Sequence, residues 1–202
     1  NGYGFFGGTG NSDAWHLGIE TGTGDVLTLS GIKEIKNWKD YVVKNEGTLK
    51  INGQIDDAGT TGVVEDTVLN SAIIGEGSTS IDSGNVTVGE SGSITQKDLA
   101  IAEDAQLTIN ADNLIVTNAV DMKGTLNLTE GTLRTNVVSA GTVNMGDGEL
   151  YGSITTAESE ISEFNVTGNV NVTGGEIKQT TVNVKETGAL IVDLNKLTAT
   201  TI

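Results

Sequence analysis

Residues able to do acid–base, nucleophilic or metal chemistry are few in this chain and widely spaced. One histidine (His16), one arginine (Arg134) and no cysteine occur among 202 residues. A Ser-His-Asp hydrolase needs a histidine base, so His16 would have to supply it. It lies in an atypical N-terminal segment, where a packed or solvent-facing role suits it better. Glycoside hydrolysis needs two carboxylates at a set separation. Asp56/Asp57 and Asp147/Glu149 are the candidates, yet both pairs sit beside glycines, in turns where acids are ordinary surface residues. A lyase-type site would add a proton-abstracting base to calcium-holding carboxylates. Arg134 has Glu130 as its nearest acid in sequence and reads as half of a surface ion pair. Neither acidic pair matches an EF-hand loop or the glycine-rich calcium nonapeptide, and a thiolate metal site is impossible. The chain is therefore read as non-enzymatic, with no catalytic residue, no metal ligand and no cofactor.

Composition narrows the partners. Twenty-seven acidic residues against 11 basic ones give a net charge of −16. Nucleic acid and anionic lipid both select a basic face, so neither is expected as a partner. No apolar run approaches the ~18 residues a membrane-spanning helix needs, and no insertion of this chain into a membrane is expected. No signal peptide is visible, and the start at Asn1 without methionine suggests a processed or excised fragment. The lack of cysteine suits a bacterial protein that crosses an outer membrane unfolded.

The elements that must position any site are read from a recurring phrase. It stands as Gly47-Thr-Leu-Lys-Ile51, Gly124-Thr-Leu-Asn-Leu128, Gly141-Thr-Val-Asn-Met145, Gly168-Asn-Val-Asn-Val172 and Gly188-Ala-Leu-Ile-Val192, with looser copies at Gly92 and Ala105. Each is a turn residue followed by apolar/polar alternation, the period of a strand with one buried face. Twenty-eight glycines, no proline and only 4% aromatic residues fit many short strands around a narrow aliphatic column. The expected fold is all-β: a right-handed parallel β-helix (β-solenoid) of about eight rungs, with repeats near 20 residues. Residues 47–202 form the continuous repeat, and Ala157 to Ser162 a bulged-out loop within it. Asn110, Asn127, Asn144 and Asn171 are expected at equivalent positions, where stacked amides can hydrogen-bond along the axis.

Residues 1–46 form an atypical cap region holding six of the eight aromatics: Tyr3, Phe5, Phe6, Trp15, Trp38 and Tyr41. Bulky side chains there would close the open end of the column; a sugar-stacking platform around Trp15, Trp38 and Tyr41 is the alternative. Residues 32–44 allow either one short helix or two strands around a turn at Asn37.

The stretches Gly124-Thr-Leu-Asn-Leu-Thr-Glu-Gly-Thr-Leu133 and Val166-Thr-Gly-Asn-Val-Asn-Val-Thr-Gly-Gly-Glu-Ile177 resemble passenger domains of bacterial type V autotransporters, above all the self-associating adhesins. The resemblance covers roughly residues 47–202 and rests on repeat style, which filamentous-haemagglutinin-type exoproteins share. It implies display on the outer surface of a Gram-negative cell, or secretion, and a role in aggregation, biofilm formation or host attachment. The translocator barrel and autochaperone region are not recognisable, so the chain would be a piece of a passenger. The expected partner is the same protein on a neighbouring cell, or a host surface protein or glycan. The outward polar set Thr125, Asn127, Thr142, Asn144, Asn169 and Asn171 would make additive contacts with it. Two other readings are a polysaccharide-binding or polysaccharide-processing β-helix, and a structural spacer or filament subunit.

Overall fold

A strand of three to five residues with one apolar face cannot bury that face alone. Stacking successive turns of the chain solves this, and the computed structural model shows such a stack. It describes residues 3–7, 14–37, 42–53, 67–157 and 159–202; Asp56, Asp57, Trp38 and Tyr41 fall outside them. The described residues form a parallel β-solenoid of about eight turns with no α-helix. Each regular turn contributes to three faces.

On the first face, Leu27, Leu49, Thr79, Leu99, Val120, Val137, Ile154, Ile177 and Leu197 stand one above another in a single inward column. The second face carries the inward column Val86, Leu107, Leu126, Val143, Phe164 and Val182. The third is built from Val43–Asn45, Ala72–Ile74, Ser93–Gln96 and Leu114–Val116, with Val43, Ile73, Ile94 and Leu114 inward. Further along, Leu133, Leu150 and Val172 take over that position. These columns merge into one largely aliphatic core that includes Phe164. Longer strands turn a corner without a break: Ser78–Val88 serves the first and second faces, and Thr125–Leu133 and Thr142–Leu150 serve the second and third.

At the N-terminal end, Tyr3–Gly7 lies antiparallel on Ala14–Thr21, the one antiparallel pairing among the described strands. Ala14–Thr21 then pairs in parallel with Glu34–Asn37 and Val43–Asn45, and Val26–Ser30 with Thr48–Asn52. Parallel stacking thus begins well before residue 47. Of the two alternatives for residues 32–44, strands are formed, at Glu34–Asn37 and Val43–Asn45. Of the expected loop from Ala157 to Ser162, Ala157 and residues 159–162 lie outside the strands, with Ile161 exposed and Ser159 at positive φ.

The glycine phrases mark strand starts, but not the same start in every turn. Thr48–Asn52 lies on the first face, Thr125 and Thr142 open strands on the second, and Asn169–Val172 and Ala189–Ile191 lie on the third. Gly168 is therefore not the counterpart of Gly141: Thr142 pairs with Glu163. Mixing faces is what made the repeat irregular. Within the first-face column the turns from Val120 to Val137 and from Val137 to Ile154 take 17 residues each. The turn from Leu49 to Thr79 takes 30.

Glycine at the second-face entry has a steric cause. A Cβ on Gly141 would lie 2.1 Å from the Gly124 carbonyl oxygen, and one on Gly124 would lie 2.1 Å from that of Ala102. The backbones of successive turns pass too closely at this corner for any side chain.

One corner of the interior is polar. Thr21, Asn45, Thr79 and Gln96 are almost fully buried and satisfy one another. Thr21 Oγ1 donates to Asn45 Oδ1, and Asn45 Nδ2 donates to Gln96 Oε1 (2.6 Å) and to the Ser78 carbonyl (2.9 Å). Thr79 Oγ1 donates to Gln96 Oε1 (3.1 Å), and Gln96 Nε2 to the Gly75 carbonyl (3.0 Å). Asn45 reaches Gln96 across the intervening turn because that turn supplies Gly75, at φ +128°. A Cβ there would meet the Asn45 carbonyl oxygen at 2.4 Å.

Leaving a buried partner unsatisfied costs about 1–3 kcal/mol, and emptying a buried phenylalanine site about 3–5 kcal/mol. Urea denaturation is expected to show Gln96→Leu destabilised by the first amount and Phe164→Ala by the second, with Thr155→Ala, on the solvent side of the first face, within ~0.5 kcal/mol of the parent.

Candidate interaction surface

The outward side of the second face is the most regular surface of the molecule. Alternation in Asn85-Val-Thr87, Gln106-Leu-Thr108, Thr125-Leu-Asn127, Thr142-Val-Asn144, Glu163-Phe-Asn165 and Thr181-Val-Asn183 sends the middle residue into the core and the outer two to the outward side, where all are half-buried except the buried Asn165. Two outward columns result. One runs Asn85, Gln106, Thr125, Thr142, Glu163, Thr181; the other runs Thr87, Thr108, Asn127, Asn144, Asn165, Asn183.

The second column is a continuous hydrogen-bonded ladder. Asn127 Nδ2 donates to Thr108 Oγ1 (3.1 Å), Asn144 Nδ2 to Asn127 Oδ1 (2.7 Å), Asn165 Nδ2 to Asn144 Oδ1 (2.9 Å) and Asn183 Nδ2 to Asn165 Oδ1 (3.0 Å). Every amide donates toward the N-terminal end, and Asn127, Asn144 and Asn165 each accept from the turn that follows. Asn183 Nδ2 also donates to Glu163 Oε1 (2.6 Å), tying the two columns together. Matched amides at strand spacing polarise one another and fix the rotamers, so the face is both ordered and polar.

The expected row of six divides. Thr125 with Thr142 and Asn127 with Asn144 are stacked neighbours on this face. Asn169 and Asn171 belong to the third face, where Asn171 stands between Glu149 and Ile191. Asn169 donates through its backbone N–H and Nδ2 to Asp147 Oδ1 (2.7 and 3.1 Å). Asn110 is outside the ladder too: it caps the 3₁₀ turn Ala111–Asn113, its Oδ1 accepting the Asp112 N–H at 2.9 Å. The true continuations, Asn165 and Asn183, lack a leading glycine, and the glycine phrase passes over them. Apolar-Asn-apolar triplets find Asn165 and Asn183, but they also find Asn171, so only the register separates them.

One further expectation changes. Arg134 makes no ion pair with Glu130, which instead accepts from Asn110 Nδ2 (3.4 Å); the Arg134 guanidinium lies over Tyr151, 4.8 Å from the ring centre. Of the N-terminal aromatics, Trp15 stands on Ala14–Thr21, in register with Ile35.

Near that strand is an open polar groove of about 560 Å³ lined by Glu34, Lys36, Asn70, Glu90 and Ser91. Lys36 Nζ is 3.1 Å from Glu34 Oε2, and Asn70 Nδ2 donates to Glu34 Oε1 at 2.7 Å. The pairing of Glu34–Lys36 with Val68–Asn70 brings these residues together from 34 positions apart, which no local pattern reveals. Elsewhere, the Gly22 N–H donates to the exposed Asp25 carboxylate at 2.9 Å and holds its pKa below the usual carboxylate range. The folded pKa being the lower one, this turn contact is present at neutral pH and is lost in acid.

Among the described residues no group of three or more His, Cys, Asp or Glu side chains is gathered to hold a metal ion, and no helix is long and apolar enough to cross a membrane. No protein-family model matches the chain, and searches of curated proteins and solved structures give no significant match.

The ladder makes a stability distinction between residues that look alike in sequence. Asn144→Ala removes two amide bonds at mid-ladder and is expected to cost about 1–2 kcal/mol. Asn171→Ala, outside the ladder, is expected within ~0.5 kcal/mol of the parent. Paired urea melts check both.

Proposed function

We propose that this chain is a non-enzymatic adhesin fragment of a bacterial cell surface, acting through the long faces of its solenoid. The observation that carries the reading is the second face: Thr125 over Thr142, and Thr108, Asn127, Asn144, Asn165 and Asn183 in one hydrogen-bonded column. A rigid lattice of hydroxyls and amides at constant spacing offers a partner many weak contacts at once, with little rotamer entropy left to lose. Repeat-style resemblance to autotransporter passengers supports placement outside a Gram-negative cell, with the partner a copy on the next cell, a host surface protein or a glycan. The net charge of −16 keeps such rods dispersed until a specific face engages.

Of the alternatives, polysaccharide binding or processing has a specific observation in its favour. The groove of Glu34, Lys36, Asn70, Glu90 and Ser91 presents carboxylates, an ammonium, an amide and a hydroxyl to solvent, a mixture suited to a hydroxyl-rich ligand.

Display of the chain on a non-aggregating cell, followed by settling assays, tests the first reading. Cells carrying the parent are expected to clump with one another or attach to host cells. Thr125→Lys/Thr142→Lys, placed beside the ladder, is expected to reduce this at least tenfold without unfolding the chain. If the variant adheres like its parent, the second face is not the adhesive one.

A further inference from the structure

The third face carries the described surface that least resembles the rest. Its outward column runs from Ile74 through Thr95 to Ile115, one residue per turn. Thr135 Oγ1 donates to the Leu114 carbonyl (3.1 Å) and accepts the Val116 N–H (3.0 Å), which lays the next turn against Leu114–Val116, with the exposed Arg134 one residue before Thr135. Tyr151 follows, its N–H donating to the Leu133 carbonyl (2.9 Å) and its ring under the guanidinium. Ile74, Ile115 and Tyr151 are 37%, 53% and 43% exposed.

Arg134 is the only arginine in a chain with 27 acidic residues, yet it has no carboxylate partner among the described residues. Stacking on Tyr151 orients its plane and leaves its N–H edge open. A guanidinium fixed in this way binds a carboxylate in a bidentate fork with less entropy left to lose. Isoleucine beside it favours aliphatic contact over sugar hydroxyls. The column from Ile74 to Tyr151 spans four steps, about 19 Å, the length of ~6 extended residues. It is one strand wide, far short of the ~800 Å² per partner of a stable globular interface. A second copy would bring another −16 of charge against it.

We propose that the Ile74–Ile115–Arg134–Tyr151 stripe is a docking site for a short extended peptide segment of a partner protein, one that places an acidic side chain between aliphatic ones. The carboxylate pairs with Arg134, and the flanking aliphatic side chains cover Ile115 and the Tyr151 edge. This site lies on a different face from the adhesive lattice and does not depend on that reading.

The single arginine gives a direct readout, since one side-chain Nε–H resonance reports on the site. The ¹⁵N-labelled chain is titrated with a synthetic Leu-Ser-Glu-Ser-Leu peptide, whose alternate residues put the carboxylate and both leucines on one face, with its Gln isostere, with free acetate and with a glucuronate oligosaccharide. The acidic peptide is expected to shift the Arg134 signal saturably. Its isostere should bind at least tenfold more weakly, as should Ile115→Asp and Tyr151→Ala variants that keep the parent's amide spectrum. Arg134→Gln, read from the Ile115 and Tyr151 amides, should lose binding to the same degree. No shift with the peptide, an equal shift from acetate, tighter binding of the glucuronate, or a shift on concentrating the chain alone would each overturn the proposal. The last of these would identify a second copy as the occupant.

Discussion

Parallel hydrogen bonding between successive turns puts each residue above its counterpart about 4.8 Å away. That repeat sets the terms for the interior, the corners and the surface. In the core it demands a side chain that tolerates its own kind above and below. Leu, Ile and Val meet this, as in the Leu99 to Leu197 column. At corners it brings carbonyl groups of adjacent turns within reach of any Cβ, and glycine is the answer at Gly124 and Gly141. On the surface it turns a single favourable side chain into a row.

Polar residues obey the same rule. A buried asparagine or glutamine is costly unless each donor and acceptor finds a partner. In this stack neighbouring turns supply the partners of Asn45 and Gln96, whereas the buried Gln179 Oε1 finds none among the described residues. Asn45 and Gln96 meet across the gap left by Gly75, and the outer asparagines pair amide to amide from Asn127 to Asn183. The interior cluster pins register near the N-terminal end, and the ladder pins it over the central and C-terminal turns. Slippage by one residue would break both and turn the apolar columns outward.

The solenoid was legible in the sequence because period-2 alternation between glycine turns survives any variation in turn length. The register was not. Gly168-Asn-Val-Asn-Val172 looks like Gly141-Thr-Val-Asn-Met145, but they lie on different faces, since corners accept extra residues without disturbing the strands. The pairing of Thr142 with Glu163 is decided by which apolar residue completes an inward column, and Phe164 does so without a preceding glycine. For the same reason the surface row divides: Thr125, Asn127, Thr142 and Asn144 stack, whereas Asn169 and Asn171 do not join them. The Arg134–Tyr151 contact and the Glu34–Lys36–Asn70 groove join residues from different turns, and only the established register brings them together.

Each functional proposal for this molecule draws together residues from successive turns, so strict turn-on-turn registry is its central claim. The absence of cysteine makes it directly measurable with two introduced spin labels. Lys50 and Lys178 stand in one outward column through Ser80, Ala100, Asp121, Val138 and Thr155. Pulsed dipolar spectroscopy on Lys50→Cys/Lys178→Cys is expected to give one narrow distribution near six strand spacings, about 29 Å. A broad distribution, or a narrow one centred well away from that distance, would contradict the registry and the faces built on it.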